Sequence, residues 1–116
     1  MREQATLPFH EITPVEPIED ESLFDRWRRF HETNPQVYDA VVEQARLAKS
    51  HGAKKIGIAF IFERLRWLHM VSTQGDPFLL NNSFRAFYAR EVMENEPDLE
   101  GIFEVRTQKA GKEDER

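Results

Sequence analysis

The stretch IGIAFIFERLRWLHMV, residues Ile56 to Val71, is apolar around most of a helical circumference. One face recurs at helical spacing and comprises Ile58, Ile61, Phe62, Leu65 and Leu68. Phe60 and Trp67 lie seven residues apart on a second face. A helix with two apolar faces is usually central in a fold. The sequence therefore predicts a mainly α-helical domain built around this third helix.

The second face of this helix predicts a contact with something beyond the main core. Because Trp and Arg are favoured at the centres of protein interfaces, Phe60, Arg66 and Trp67 are the candidate residues for binding a protein partner or a second copy of the chain. We expect Phe60 or Trp67 to be partly exposed in the monomer and covered by the N-terminal segment or by another chain. The alternative is that the two rings fill a second layer of core.

Start and stop signals on both sides of this helix predict three further helices. They cover about residues 23–31, 35–50 and 82–96. Ser22 caps the first of them, and Asn34, with Pro35 at the first helical position, starts the second. The last helix begins at a cap at Asn81 or Asn82, and a short turn follows it.

The predicted fold class is all-α: a compact domain of four to five helices with a helix-turn-helix-like core. Short strands are allowed at residues 78–80 and 103–107, and with them one short β-hairpin. The expected core comprises Val41, Ile61, Phe62, Leu65, Phe84 and Tyr88. Residues 1–21, with three prolines among acidic residues, predict an extended arm, residues 22–107 form the helical domain, and residues 108–116 form a disordered tail.

The composition argues against several classes of protein. The 116 residues include no Cys, so a disulfide, a thiolate nucleophile and a Cys zinc site are excluded. The four His are isolated and the five Gly are dispersed, which argues against a metal motif and a nucleotide-binding loop. Neither a secretory signal nor a run of roughly 20 apolar residues is present. We therefore expect a cytoplasmic protein without enzymatic activity, cofactor, metal or membrane contact.

Charge is sorted along the chain. The whole protein has a net charge of −5, yet residues 46–92 carry eight Lys or Arg against three Asp or Glu, a local charge of +5. The segments before and after carry −6 and −4. A basic middle in an acidic protein indicates a surface for an anion, such as nucleic acid or an acidic partner, although solvated helix faces also give this pattern.

The order of the third and fourth helices, with a break between them, is that of a helix-turn-helix pair. Lys54 and Lys55 are expected at the start of the third helix, where a bound phosphate would offset their repulsion with the helix dipole. The candidate nucleic-acid-binding residues are Lys54, Lys55, Asn82, Arg85 and Arg90, with Asn82 nearest a base edge. The linker of the pair is longer than a usual three- or four-residue turn.

Three segments resemble a group of small proteins encoded by bacteriophages and prophages: FHETNPQVYDAVVEQARLAK, IFERLRW and DPFLLNNSFRAFYAREVMENEPDLEGIFEVR. The resemblance covers roughly Phe30 to Arg106 and is most specific in the LRW and LNNSF-x-x-x-YAR strings. It implies a helix-turn-helix-like protein of phage or prophage origin in the cytoplasm of a bacterial host. It implies little about function.

Three hypotheses follow. The first is a small phage-type DNA-binding protein, for which a regulatory role is one option. The second is a phage-encoded interaction module that inhibits or redirects a host protein such as a defence nuclease or a polymerase, and the third is a virion assembly component. A continuous positive surface including the fourth helix would favour the first hypothesis, whereas scattered or neutralised basic residues would favour the second. The sequence leaves monomer and homodimer open.

Overall fold

The computed structural model describes residues 12–72 and 80–104. Four α-helices follow one another: α1 (Leu23–Thr33), α2 (Pro35–Ser50), α3 (Ile58–Ser72) and α4 (Arg85–Asn95). Short 3₁₀ turns at Asn82–Phe84 and Pro97–Leu99 lie on either side of α4. The predicted all-α class is confirmed.

Local capping explains where α1 and α2 begin and end. The Ser22 hydroxyl accepts the backbone N–H of Asp25 at 3.0 Å, which satisfies one of the free donors in the first turn of α1. The backbone N–H of Asn34 donates to the Phe30 carbonyl at 2.8 Å and ends α1, and Pro35 then starts α2 with its fixed φ. Just after the other end of α2, the backbone of Gly52 has a φ of 102°, a left-handed conformation that glycine adopts more easily than other residues.

The start of α3 differs from the prediction. The sequence pattern placed it at Ile56, but α3 begins at Ile58 because Ile56 is paired with the segment after α4. The N–H of Ile56 donates to the Ile102 carbonyl at 2.8 Å, and the N–H of Glu104 donates to the Ile56 carbonyl at 3.1 Å. This isolated bridge between Ile56 and Phe103 is parallel, so the described part of the predicted strand at 103–107 does not form a hairpin here. Residues 105–107 and most of the other predicted strand, 78–80, lie outside the described residues.

One apolar core joins all four helices. Its buried members are Trp27, Phe30, Val37, Ala40, Val41, Val42, Ala45, Ile56, Ile61, Phe62, Leu65, Leu80, Phe84, Tyr88, Ala89, Val92, Leu99, Ile102 and Phe103. The six core residues expected from helical periodicity are all among them, so that prediction is confirmed. The helices α2, α3 and α4 contact one another pairwise, and α1 packs on α2.

The described part of the N-terminal arm, residues 12–21, runs without helix or strand to a turn at Glu19–Asp20, and it contacts α1 and the start of α2. The buried Asn34 side chain exchanges two hydrogen bonds with the Thr13 backbone, accepting its N–H at 2.7 Å and donating to its carbonyl at 2.8 Å. The Arg29 guanidinium donates to both carboxylate oxygens of Glu21, at 2.5 and 2.8 Å, and to the Glu16 carbonyl at 2.7 Å. The hydrogen bonds from Arg29 hold the pKa of Glu21 below its usual value. The rest of the predicted arm, residues 1–11, and the predicted tail, 108–116, lie outside the described residues.

Candidate functional site

The exposed side of α3 carries four large apolar side chains on one face. Phe60 is 63% exposed, Trp67 57%, Val71 56% and Met70 42%. They are exposed because Ile61, Phe62, Leu65 and His69, on the opposite side of the same helix, fill the core. We call Phe60, Trp67, Met70 and Val71 the α3 face. The expectation that Phe60 or Trp67 is partly exposed in the monomer agrees with this geometry, and the described arm residues, which dock on α1, leave both rings uncovered.

Charged side chains border the α3 face. Glu63, with a 71% exposed side chain, accepts a hydrogen bond from the Arg66 guanidinium at 2.6 Å. On the other edge, the Arg64 Nε donates to the Gln44 side-chain oxygen of α2 at 2.7 Å. The face therefore has a centre of apolar side chains and a rim of charged side chains, which is the usual anatomy of a protein interface.

Arg66, a predicted partner-binding residue, mainly links α3 to the start of α4. Besides Glu63, its guanidinium donates to the Leu80 carbonyl at 2.9 Å and to the side-chain oxygen of Asn82. It also lies 6.0 Å from the centre of the Phe62 ring. Its side chain is 24% exposed, so Arg66 supports the edge of the α3 face and holds the chain that enters α4.

Lys54 and Lys55 precede α3, as predicted, but they lie two residues farther from it because α3 begins at Ile58 and not at Ile56. Both are exposed in the loop after α2. The Lys55 Nζ donates to the Gly101 carbonyl at 2.9 Å, so this ammonium group is attached to the segment that follows α4. Both lysines therefore lie two residues farther from the positive end of the α3 dipole than the sequence pattern predicted.

Asn82 lies in the 3₁₀ turn before α4, Arg85 is the first residue of α4, and Arg90 lies in the middle of this helix. The Asn82 side-chain oxygen accepts a hydrogen bond from Arg66, and its backbone carbonyl accepts one from the Arg85 Nε at 3.1 Å. The cap of this turn is Asn81, whose side-chain oxygen accepts the N–H of Ser83 at 2.8 Å. Arg90 is exposed and lies 5.5 Å from the centre of the Phe87 ring. Two of the three residues thus already hold the local turn together.

Other basic residues of the chain's middle are neutralised by the acidic segment that follows it. Arg46 forms a two-pronged contact with Asp98, at 2.8 and 3.0 Å, and contacts Glu96 at 2.8 Å. The Lys49 ammonium donates to the Asp98 carbonyl. The other oxygen of Glu96 accepts the hydroxyl of Tyr38 at 2.9 Å, and burial together with this carboxylate raises the pKa of Tyr38 well above its usual value. The sequence predicted the charge segregation but not these pairings, because nothing in a linear pattern shows that α2 and the turn after α4 meet.

An aromatic surface between α1 and α4 is a further feature that sequence reasoning missed. The half-exposed Phe24 ring lies 5.6 Å from the rings of Trp27 and Phe87. Arg28 lies over Phe24 at 5.9 Å, as Arg90 does over Phe87. Phe24 and Trp27 share one predicted helix stripe, but their contact with Phe87 depends on the packing of α1 against α4.

The described residues also bear on metal binding and membranes. In residues 12–72 and 80–104, no three His, Cys, Asp or Glu side chains are grouped so that they could hold a metal ion. None of the helices in those ranges has the length and apolar character needed to cross a bilayer.

Comparison with known proteins adds no assignment. No known family matches the chain, and neither the curated proteins nor the solved structures contain a match.

Proposed function

We propose that this protein acts by binding another protein through the α3 face. The observation that carries the proposal is the exposure of Phe60 and Trp67 on one side of a helix whose other side is fully buried. Clusters of large exposed apolar side chains that are surrounded by charged residues are typical of interaction sites. Aromatic residues at such a centre commonly supply most of the binding energy.

The distribution of charge supports protein binding over nucleic-acid binding. The hypothesis of a DNA-binding surface required the basic residues of the middle segment to stand free on one side. Arg46, Lys49 and Lys55 instead contact the segment after α4, and Arg85 contacts the turn before it. The resemblance to phage-encoded proteins makes a host protein one candidate partner.

Site-specific photo-crosslinking in bacterial cells tests this proposal. A photoreactive phenylalanine analogue at position 60 should form an adduct of defined mass, whereas the same analogue at the exposed Glu32 of α1 should not. Trp67→Ser in the same chain should remove the adduct, and Leu47→Ser, at an exposed apolar position of α2, should leave it intact. An adduct pattern that is the same at positions 60 and 32 would show that the α3 face is not a docking surface.

DNA binding is the second candidate function, and the observation in its favour is that Lys54, before α3, and Arg90, in α4, are both exposed. Phosphate contacts make binding depend on salt, with a log–log slope of about 0.9 per contact for duplex DNA. We expect Arg90→Ala and Lys54→Ala each to lower this slope by about 0.9, and Arg28→Ala, where the arginine pairs with Glu32, to leave it unchanged. Anisotropy titrations of a labelled duplex across salt concentrations would measure the slope. Absence of binding at low salt would exclude this candidate.

A further inference from the structure

We propose that the α3 face is the interface of a symmetric dimer, in which α3 of two copies of this chain pack antiparallel to each other. This inference rests on the proposed function, since it names the partner that covers the same face. It depends on three properties of α3: the spacing of its exposed side chains, the charges beside them and the area that they present.

The exposed side chains of α3 have the spacing of a short coiled-coil seam. Phe60, Glu63, Trp67 and Met70 are separated by three, four and three residues, as are alternating a and d positions. In an antiparallel pair, each a position lies level with a d position of the other helix. A two-fold axis that crosses α3 at the level of residue 65 then sets Phe60 level with Met70 of the second copy. The same axis sets Trp67 level with Glu63 of the second copy, so the seam is complementary to itself.

The charges on the Glu63–Arg66 edge of the seam favour the antiparallel orientation. Glu63 and Arg66 stand on the same edge of α3 and form an ion pair at 2.6 Å. An antiparallel two-fold brings this edge against the same edge of the second copy, running in the opposite direction. Each Glu63 then approaches the Arg66 of the other copy. A parallel pair would place Glu63 level with Glu63 in the seam, where like charges destabilise the contact.

The area of the face is suited to an interface of this kind. Phe and Trp present roughly 150–250 Å² each when fully accessible, so the two half-exposed rings offer about 250 Å². Val71 and Met70 extend this to a patch within the roughly 300–600 Å² that is typical of functional apolar patches. A standard interface buries about 800 Å² per partner with an apolar centre. The α3 face supplies such a centre, and Arg64 and Arg66 on its two edges supply polar surroundings.

Sedimentation equilibrium of the full-length protein tests the dimer. We expect a species of twice the 13.7 kDa chain mass that dissociates on dilution. Trp67→Ser and Phe60→Ser should each raise the dissociation constant about thirtyfold or more, the loss expected for an interface hot spot. Their helical circular dichroism should not change, because both side chains are exposed. Leu47→Ser, which removes an exposed apolar side chain of α2, is the matched control and should remain dimeric.

Cysteine crosslinking tests the orientation, since the chain has no Cys of its own. On oxidation, a mixture of the Phe60→Cys and Met70→Cys proteins should form a disulfide between the two variants, and neither variant alone should crosslink to itself. Self-crosslinking of Phe60→Cys would overturn the antiparallel arrangement. A wild-type protein that stays monomeric at every concentration would overturn the dimer itself. In that case, an adduct with a different protein at position 60 would leave the docking function standing, and the lack of any adduct would reject both.

Discussion

At the scale of single residues, Asn34 shows how one side chain can serve a purpose that its local sequence does not indicate. Its position between two helices, followed by Pro35, is typical of a helix cap. The side chain makes no capping bond to α2, however. It instead forms two hydrogen bonds with the Thr13 backbone and donates a third to the Phe30 carbonyl at 3.2 Å. Asn34 is completely buried, so these bonds satisfy both ends of an amide that water cannot reach.

Replacing Asn34 therefore tests the attachment of the arm. Asn34→Ala should lower the free energy of unfolding by about 1–3 kcal/mol, because the partly buried Thr13 backbone groups lose their partners. Asn34→Asp keeps the acceptor for the Thr13 N–H and loses the donor, so its effect should also be destabilising through a buried charge. Urea denaturation gives the free energies. Limited proteolysis should cleave residues 12–21 faster in both variants, and an unchanged cleavage rate would show that Asn34 does not hold the arm.

At the scale of the secondary-structure element, α3 has two apolar sides, of which one is buried in the core and the other is exposed. Ile61, Phe62 and Leu65 are buried against α2 and α4, whereas the α3 face has no covering element among residues 12–72 and 80–104. Two neighbouring phenylalanines on this helix, Phe60 and Phe62, are chemically identical and differ only in side. Replacing each of them in turn therefore distinguishes what a core position and a surface position contribute to stability.

We expect Phe62→Ala to lower the free energy of unfolding by about 3–5 kcal/mol, since the ring is fully buried and its removal leaves a cavity. Phe60→Ala should change the stability of the monomer by no more than about 0.5 kcal/mol. Chemical denaturation at a protein concentration below dimer dissociation measures both. Equal losses for the two variants would contradict the assignment of the two sides.

Helical periodicity was sufficient to predict α3 and its two sides, because a 3.6-residue repeat is a local property of the chain. It was also sufficient for the buried positions of α2 and α4, such as Val41 and Tyr88. It could not predict that α3 starts at Ile58, since Ile56 is drawn out of the helix by hydrogen bonds to a segment far away in sequence. The same limit applies to the candidate site: exposure of Phe60 followed from the pattern, but the contacts of Arg66 with Leu80 and Asn82 required the fold.

At the scale of the whole molecule, tertiary contacts redistribute the charge that the sequence separates. The basic middle and the acidic ends meet where α2 passes the turn after α4, and Arg46 is paired there with Glu96 and Asp98. Within the acidic N-terminal segment itself, Arg29 is paired with Glu21 of the arm. Part of the charge pattern of the sequence thus reflects ion pairs within the protein, and not only a surface for an external anion.

This neutralisation predicts a pH dependence. The hydrogen bonds from Arg46 hold the pKa of Asp98 below its ordinary value of 3.8. A carboxyl group with a depressed folded-state pKa stabilises the fold above the ordinary value, and this contribution is lost as the pH falls through the depressed pKa. We expect Arg46→Gln to return the pKa of Asp98 toward 3.8 and to flatten the loss of stability in this acid range. Carboxyl chemical shifts in an NMR titration give the pKa. An Asp98 pKa that is the same with and without Arg46 would contradict the pairing.

The bridge between Ile56 and Phe103 has a consequence for the order in which the protein folds. It closes a ring of chain that contains α3, the connection to α4 and α4 itself. Closing a loop of roughly 50 residues costs on the order of 3 kcal/mol of chain entropy, and two backbone hydrogen bonds contribute about 1 kcal/mol each. The entropy cost of closing the loop therefore exceeds the contribution of the two hydrogen bonds. We expect the bridge to form only after α3 and α4 have packed. The amide hydrogens of Ile56 and Glu104 should accordingly gain protection from solvent exchange late in refolding, which makes them reporters of the completed fold.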